Sequence, residues 1–306
     1  MKKLIVGAGL LFVAGALYTG SVLANTIVVN STADTSSACS LRNAIVNANA
    51  NGQTYPGCNA GNGADTIVFD PVVFATPQTI VLASTLPDLT DASTTTIDGA
   101  NMVTISGNNA VRVFWIGDLG SGNGSAIIRN LTISHALGSG YGGGMAMVGT
   151  DLELDHVTFD HNATDLGGGG LSSQSGTVVI HDCLFTGNST ASYIGGGYYF
   201  QGTAGTVTHI DNTTFTGNSA GSGGGAISTA YGGELFVTNS TFEGNSSSSG
   251  RGAAIRNFKV SAVTLDYVTM ANNTATSTNG ALDVENDGTI SISNSIVAGN
   301  AGNDCR

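Results

Sequence analysis

The chain carries few ionisable groups, yet Asp155, His156, His181, Asp182 and Asp211 could do acid–base chemistry. Two His/Asp neighbours, Asp155-His156 and His181-Asp182, stand 26 residues apart, and Asp211 lies 30 beyond His181. Imidazole beside carboxylate can move a proton near neutral pH, or the group can hold a divalent cation such as calcium. A second set is basic and aromatic: Arg251, Arg256 and Lys259, with Tyr141, Tyr193, Tyr199 and Tyr231. Aromatic faces can stack on sugar rings, and cations can read sugar acids. Residues so far apart act together only if the fold brings equivalent positions side by side.

An internal repeat does this. The segments Ile105–Asn108, Ile133–Ala136, Phe159–Asn162, Phe185–Asn188, Phe215–Asn218, Phe242–Asn245, Met270–Asn273 and Val297–Asn300 start at intervals of 28, 26, 26, 30, 27, 28 and 27 residues. Glycine clusters such as Gly167–Gly170, Gly195–Gly197 and Gly223–Gly225 open the next unit and erode to Gly252-Ala253 and Gly280-Ala281. Seven and five residues before the Phe position stand mostly apolar pairs: Leu152/Leu154, Val178/Ile180, Thr208/Ile210, Leu235/Val237, Val263/Leu265 and Ile290/Ile292. Alternation over such short runs means strands. One strand, a turn, a short strand ending in Phe and a Gly-rich corner make one coil of a parallel β-solenoid. A single coil cannot bury its apolar face, but a stack can. The Phe positions then form an inward column and the Asn positions a turn ladder, whose amide side chains can hydrogen-bond up and down the stack and whose residues tolerate left-handed backbone.

The alignment puts Arg129, Asp155, His181, Asp211, Thr238, Asp266 and Ser293 in one column, and Asn130, His156, Asp182, Asn212, Asn239, Tyr267 and Asn294 in the next. The acid–base candidates therefore cluster on three adjacent coils. The competing explanation is a polar turn ladder in which Asp and His replace Asn, with Arg129 paired to Asp155 on the surface. For the basic set, aligning Gly252 with Gly280 places Asn257 over Glu285 and Lys259 over Asp287, so the charges would pair between coils. The tyrosines lie near Gly-rich corners, where they either bind sugars or shield coil edges. His135 and His161 share a column at a solvated turn, and Cys183 falls inward with Val157, Thr213 and Ser240 as an inert thiol. Every interval stays within 26–30 residues, whereas active sites tend to break repeats with long insertions, so a non-catalytic role is favoured.

Outside the repeats, "CSLRNAIVNANAN" (39–51) places Leu41, Ala44, Ile45 and Ala48 on one helical face, a cap for the solenoid's first coil. Residues 1–24 have a Lys2-Lys3 start, an apolar run and small residues before Asn25, the pattern of a secretory signal peptide. The expected organisation is 1–24 signal peptide, 25–100 cap and irregular first coils, 101–306 repeat coils. No later stretch is long and apolar enough to span a membrane. Removing Lys2 and Lys3 from 9 basic residues leaves 7 against 21 acidic ones, a net of −14, which argues against nucleic-acid partners. Export permits disulfides. Cys39, Cys58, Cys183 and Cys305 allow three full pairings, and Cys39–Cys58 is the first choice because those two bracket a short segment.

The strict Phe-x-x-Asn units at Phe159, Phe185, Phe215 and Phe242, with Gly224-Gly225-Ala226-Ile227, resemble the repeats of chlamydial polymorphic outer-membrane proteins. The segment "CSLRNAI" resembles the C-S-L-R-E-A-I signature of exported bacterial β-helix proteins, with Asn43 where Glu is usual, a change expected to affect only local capping. The resemblance implies an all-β, right-handed parallel β-helix of pectate-lyase-like shape, a secreted or cell-surface location, and adhesion to a polysaccharide or a host or cell-surface ligand. The outer-membrane barrel of the chlamydial proteins has no counterpart in this sequence. The alternatives are a polysaccharide lyase or glycoside hydrolase working on the outer face, or a fragment of a larger surface passenger. No cofactor beyond the divalent cation is expected.

Overall fold

The computed structural model describes residues 25–117, 124–259, 261–276, 280–301 and 304. The expected signal peptide and Cys305 lie outside the described residues. Each repeat is one coil with four strand segments, as in Val207–Asp211, Thr214–Thr216, Ser219–Ala220 and Ile227–Ala230. Every segment pairs in parallel with its equivalents on either side. Phe215 sits between Phe185 and Phe242, and Ile227 between Tyr198 and Ile255. The first two segments of each coil belong to a sixteen-stranded sheet, the third to a six-stranded one and the fourth to a seven-stranded one. The fold is the parallel β-helix that the repeat spacing implies.

Alternation decides which side chains fill it. Leu235, Val237, Val263 and Leu265 point inward and are buried, while their neighbours are partly exposed. Phe159, Phe185, Phe215 and Phe242 stack face to face, with centroids 4.6, 4.6 and 5.0 Å apart and planes within 11° of parallel. That is the inter-strand spacing expressed in side chains.

The Asn column forms the expected ladder of amide hydrogen bonds, but the amides are buried and are not themselves the left-handed residues of the turn. Asn162, Asn188, Asn218, Asn245 and Asn273 are fully buried. The left-handed turn residue is the one before, His161, Gly187, Gly217, Gly244 or Asn272. The amides face the core side of the turn and complete a ladder. Asn188 Oδ1 accepts from both the backbone N–H and Nδ2 of Asn162, and Asn188 Nδ2 donates to Phe159 O and to Asn218 Oδ1, all at 2.9–3.0 Å. The pattern repeats through Asn218, Asn245, Asn273 and Asn300. At the near end the Ala136 N–H donates to Asn162 Oδ1. At the far end Asp304 Oδ1 takes the place of the next amide, accepting from Asn300 Nδ2 at 3.0 Å. Asn108 lies off the ladder, exposed and left-handed itself, because Gly107–Ala110 makes an extra turn there.

The N-terminal end is covered by the helix Leu41–Ala50, with Leu41, Ala44, Ile45 and Ala48 buried. Ser40 caps it, its Oγ accepting from the Asn43 N–H. The Asn43 side chain does more than capping: it is buried and donates to Ser36 O and Ala38 O, tying the preceding loop to the helix. Arg42 grips Asp34 through two hydrogen bonds and donates to the carbonyls of Ser84 and Thr85, so the cap is stitched to an outer loop. The Cys39–Cys58 disulfide is formed. Cys183 is buried, and burial pushes its thiol up to about 12, as expected of an inert core cysteine.

Asn218→Ala leaves the buried Asn188 N–H without its acceptor and Phe185 O without the amide donor. Each such loss costs about 1–3 kcal/mol, so urea unfolding should show Asn218→Ala destabilising the chain by about 2–5 kcal/mol. That exceeds the loss for Phe215→Leu, which removes volume but orphans no polar group. The reverse order would show that the ladder contributes little.

Candidate functional site

Two groups of side chains stand out. The first is the Asp/His column, and its register is as expected: Arg129, Asp155, His181, Asp211, Thr238, Asp266 and Ser293 are paired in succession. The neighbouring column, Asn130, His156, Asp182, Asn212, Asn239, Tyr267 and Asn294, is left-handed throughout, with φ between 46° and 55°. A tight turn there needs residues that tolerate αL, which accounts for most of its Asn and Asp.

Across these two columns Asp155, His156, His181 and Asp182 come together. His156 Nδ1 bonds Asp155 Oδ1, and His181 Nδ1 lies 3.3 Å from both Asp155 Oδ1 and Asp182 Oδ2. Burial alone would lower the His181 pKa, but hydrogen bonds to Asp182 and Glu153 and the Asp155 charge outweigh it and hold it above the ordinary value. The Asn212 amide donates to Asp182 Oδ1 and, with His181, keeps that carboxyl below the usual range. Asp211 does not join them. Its Oδ1 accepts from Thr238 Oγ1 and Asn239 Nδ2 on the next coil. Arg129 does not pair with Asp155 either; it bonds Asp98 at 2.8 Å on the preceding coil, where Asn130 also donates. His135 and His161 stack with centroids 5.9 Å apart, and His161 bonds Asp160.

The second group gathers at the Gly-rich corner. Tyr141 packs edge-on to Tyr193 (6.3 Å) and face-on to Tyr199 (5.4 Å), although a whole coil separates Tyr141 from Tyr199. Gly167 occupies the intervening position, and a Cβ there would sit 2.6 Å from the Tyr199 ring. Burial, then the Tyr193 phenol, raises the Tyr141 pKa. Arg112, which sequence reasoning missed, donates to the carbonyls of Ser139, Tyr141 and Gly142 and fixes this corner. Beyond it, Tyr193, Tyr199, Tyr231, Arg256 and Phe258 border a cleft of about 190 Å³. Lys259 Nζ lies 4.5 Å from the Tyr231 ring and 5.1 Å from the Phe258 ring.

Two candidates change role here. Tyr199 is 2% exposed and Arg256 6% exposed, so both support the cleft rather than face solvent. The paired charges differ from expectation because the coils register one residue off the Gly252–Gly280 alignment. Gly280 stands opposite Ala253, Asn257 pairs with Val284, and Phe258 with Glu285. Glu285 therefore receives Arg251 (2.8 Å) and Arg256 (3.2 Å), while Lys259 lies over aromatic rings instead of Asp287. Beneath this clamp Asp283 is buried beside Glu285, and burial, then Glu285, pushes it up to about 6. Glu285 itself is lowered by Asp283 and the two arginines, against its own burial. Tyr141, Tyr193, Tyr231 and Lys259 remain as the accessible groups. Phe258 was also missed, because a single aromatic in an eroded repeat has no periodic signal.

The molecule is thus a parallel β-solenoid whose turns carry a His/Asp group and whose corner carries an aromatic, cation-rimmed cleft. Residues 91–259 match the family model described as right handed beta helix region, more than half of the chain, and the chain belongs to that family. The comparisons with curated proteins and with solved structures returned no match. No helix among the described residues is long and apolar enough to cross a membrane.

Asp283 holds its proton in the folded state up to about pH 6, but only to about 4 when unfolded. The folded state therefore binds more protons between these values, and stability falls as pH rises through that window. Asp283→Asn removes the buried charge while keeping a donor toward Glu285. Thermal midpoints should show the variant more stable than the parent at pH 7.5, by about 1–3 kcal/mol, with the gap closing toward pH 4. An equal gap at both pH values would contradict the shifted Asp283.

Proposed function

We infer that this protein is exported and works at or outside the cell surface as a non-catalytic binding module that holds polysaccharide at the tyrosine corner. One observation carries the reading: Tyr193 and Tyr231 line one cleft, with Tyr141 packed edge-on against Tyr193 and the Lys259 ammonium over the Tyr231 ring, so tyrosines spread over 90 positions of sequence gather at one corner. Partly exposed phenols offer flat faces for sugar rings and hydroxyls for their hydrogen bonds. Lys259 forms no ion pair among the described residues, so its charge is available to a glycan that carries acid groups. Elsewhere the surface is poor in charge and net acidic, which disfavours indiscriminate binding of polyanions.

A second reading, a polysaccharide lyase or glycoside hydrolase, draws support from the convergence of Asp155, His181 and Asp182. It is the weaker one. Asp211 is taken up by the next coil, and the left-handed turn accounts for much of the column without catalysis. Adhesion as part of a larger passenger is compatible with the same cleft.

Affinity electrophoresis of the protein from Asn25 onward in gels of acidic and neutral polysaccharides, with assay of released products, separates these readings. Retardation without product release is expected, strongest on acidic glycans. Tyr193→Ala and Tyr231→Ala should each weaken it by up to about tenfold, the scale of one aromatic contact. Turnover abolished by Asp155→Ala would overturn the binding reading in favour of the enzyme. Export is checked by the mass of the secreted product, expected to begin at Asn25.

A further inference from the structure

We propose that Asp155, His156, His181 and Asp182 form a binding site for a borderline transition-metal ion of the Zn²⁺ class, bridging two adjacent coils. One ligand atom from each of Asp155, His156 and Asp182 lies within 4.8 Å of the others. His181 Nδ1 lies outside that group of three but 3.3 Å from both Asp155 Oδ1 and Asp182 Oδ2, where it can serve as a fourth donor. As hydrogen bonds these contacts are long, since a charge-assisted one is drawn in to about 2.7–2.9 Å. Donors on a tetrahedral ion with bonds of about 2.0–2.1 Å are about 3.3–3.4 Å apart, the separation of His181 Nδ1 from both carboxylates here, whereas His156 and Asp155 are in direct contact and must part to admit an ion.

The outer contacts point the same way. With Nδ1 of His181 turned to the two carboxylates, its Nε2 is 3.5 Å from Glu153 Oε1. An acid behind a ligating imidazole fixes its tautomer and orientation. Asn212 Nδ2 occupies Asp182 Oδ1 and leaves Oδ2 on the ligand side. His156 Nδ1 is already directed at Asp155 Oδ1, so an ion would take the place of the shared proton. All four side chains are partly exposed, so an ion can reach them. The left-handed turn requires a residue that tolerates αL at 156 and 182, but Asn would serve, as it does at 130, 212, 239 and 294. Backbone needs alone do not set two imidazoles against two carboxylates. The donor set of two nitrogens and two oxygens suits Zn²⁺, Co²⁺ or Cu²⁺ and is a poor one for calcium, which takes six to eight oxygens.

Calorimetric titration of Zn²⁺ into the protein, free of any histidine tag, at pH 7.5 tests this. One ion per chain is expected, with affinity lowered at least about tenfold in His156→Ala and in Asp182→Asn. Glu153→Gln, which acts through His181, should weaken binding by less than either ligand loss. His135→Ala, at the neighbouring histidine pair, should leave it unchanged. Co²⁺ in place of Zn²⁺ should give the intense visible bands of a four-coordinate site. If either ligand variant does not fold, as judged by far-ultraviolet circular dichroism, His181→Ala takes its place. Absence of binding, affinity unchanged in the ligand variants, the same loss in His135→Ala, or an octahedral Co²⁺ spectrum would each overturn the assignment.

Discussion

A buried primary amide has two hydrogens and two lone-pair directions to satisfy, and the rest of this molecule is arranged around doing so. Each interior Asn from 162 to 273 reaches its partners only if the next coil is in register. A slip of one residue would turn the Phe column outward and leave the amides unsatisfied in an apolar interior, a loss far larger than any single packing defect. The ladder and the ring stack beside it therefore enforce one another. The rings favour the inter-strand spacing, and the amides set the register.

That enforcement explains how much could be read in advance. Register is a property of the repeat, so the columns of Arg129 through Ser293 followed from counting alone. Cross-coil contacts of long side chains did not follow. Arg129 could reach forward or back along the stack, and it is Asp98, with Asn130 beside it, that offers the neighbouring acceptors. In the coil from Arg251 the glycines that mark the corner have eroded, so aligning Gly252 with Gly280 chose the wrong pair by one residue. The same limits apply to the cleft. Periodicity placed the tyrosines near one corner, but it carries no information on which ring lies beneath another. Burial of Tyr199 depends on the missing side chain of Gly167, one coil away.

The two outer features use the solenoid in different ways. The His/Asp group takes groups from adjacent coils and relies on the register to hold them at fixed separation. The tyrosine cleft relies on departures from the repeat: an absent side chain at Gly167, the arginine anchor at residue 112, and a carboxylate clamp under residue 256. Regularity supplies the spacing of one site, and irregularity supplies the relief of the other.

The carboxylate of Asp304 has a consequence for the directionality of the stack. Every ladder amide presents oxygen toward the amino-terminal side and nitrogen toward the carboxy-terminal side. Their dipoles add along the axis, as peptide dipoles do in a helix, leaving partial positive charge at the last rung. Asp304 sets an anion against that end. The spine of the solenoid is thus electrically polar, and only a residue able to accept, never one that only donates, can follow its final amide.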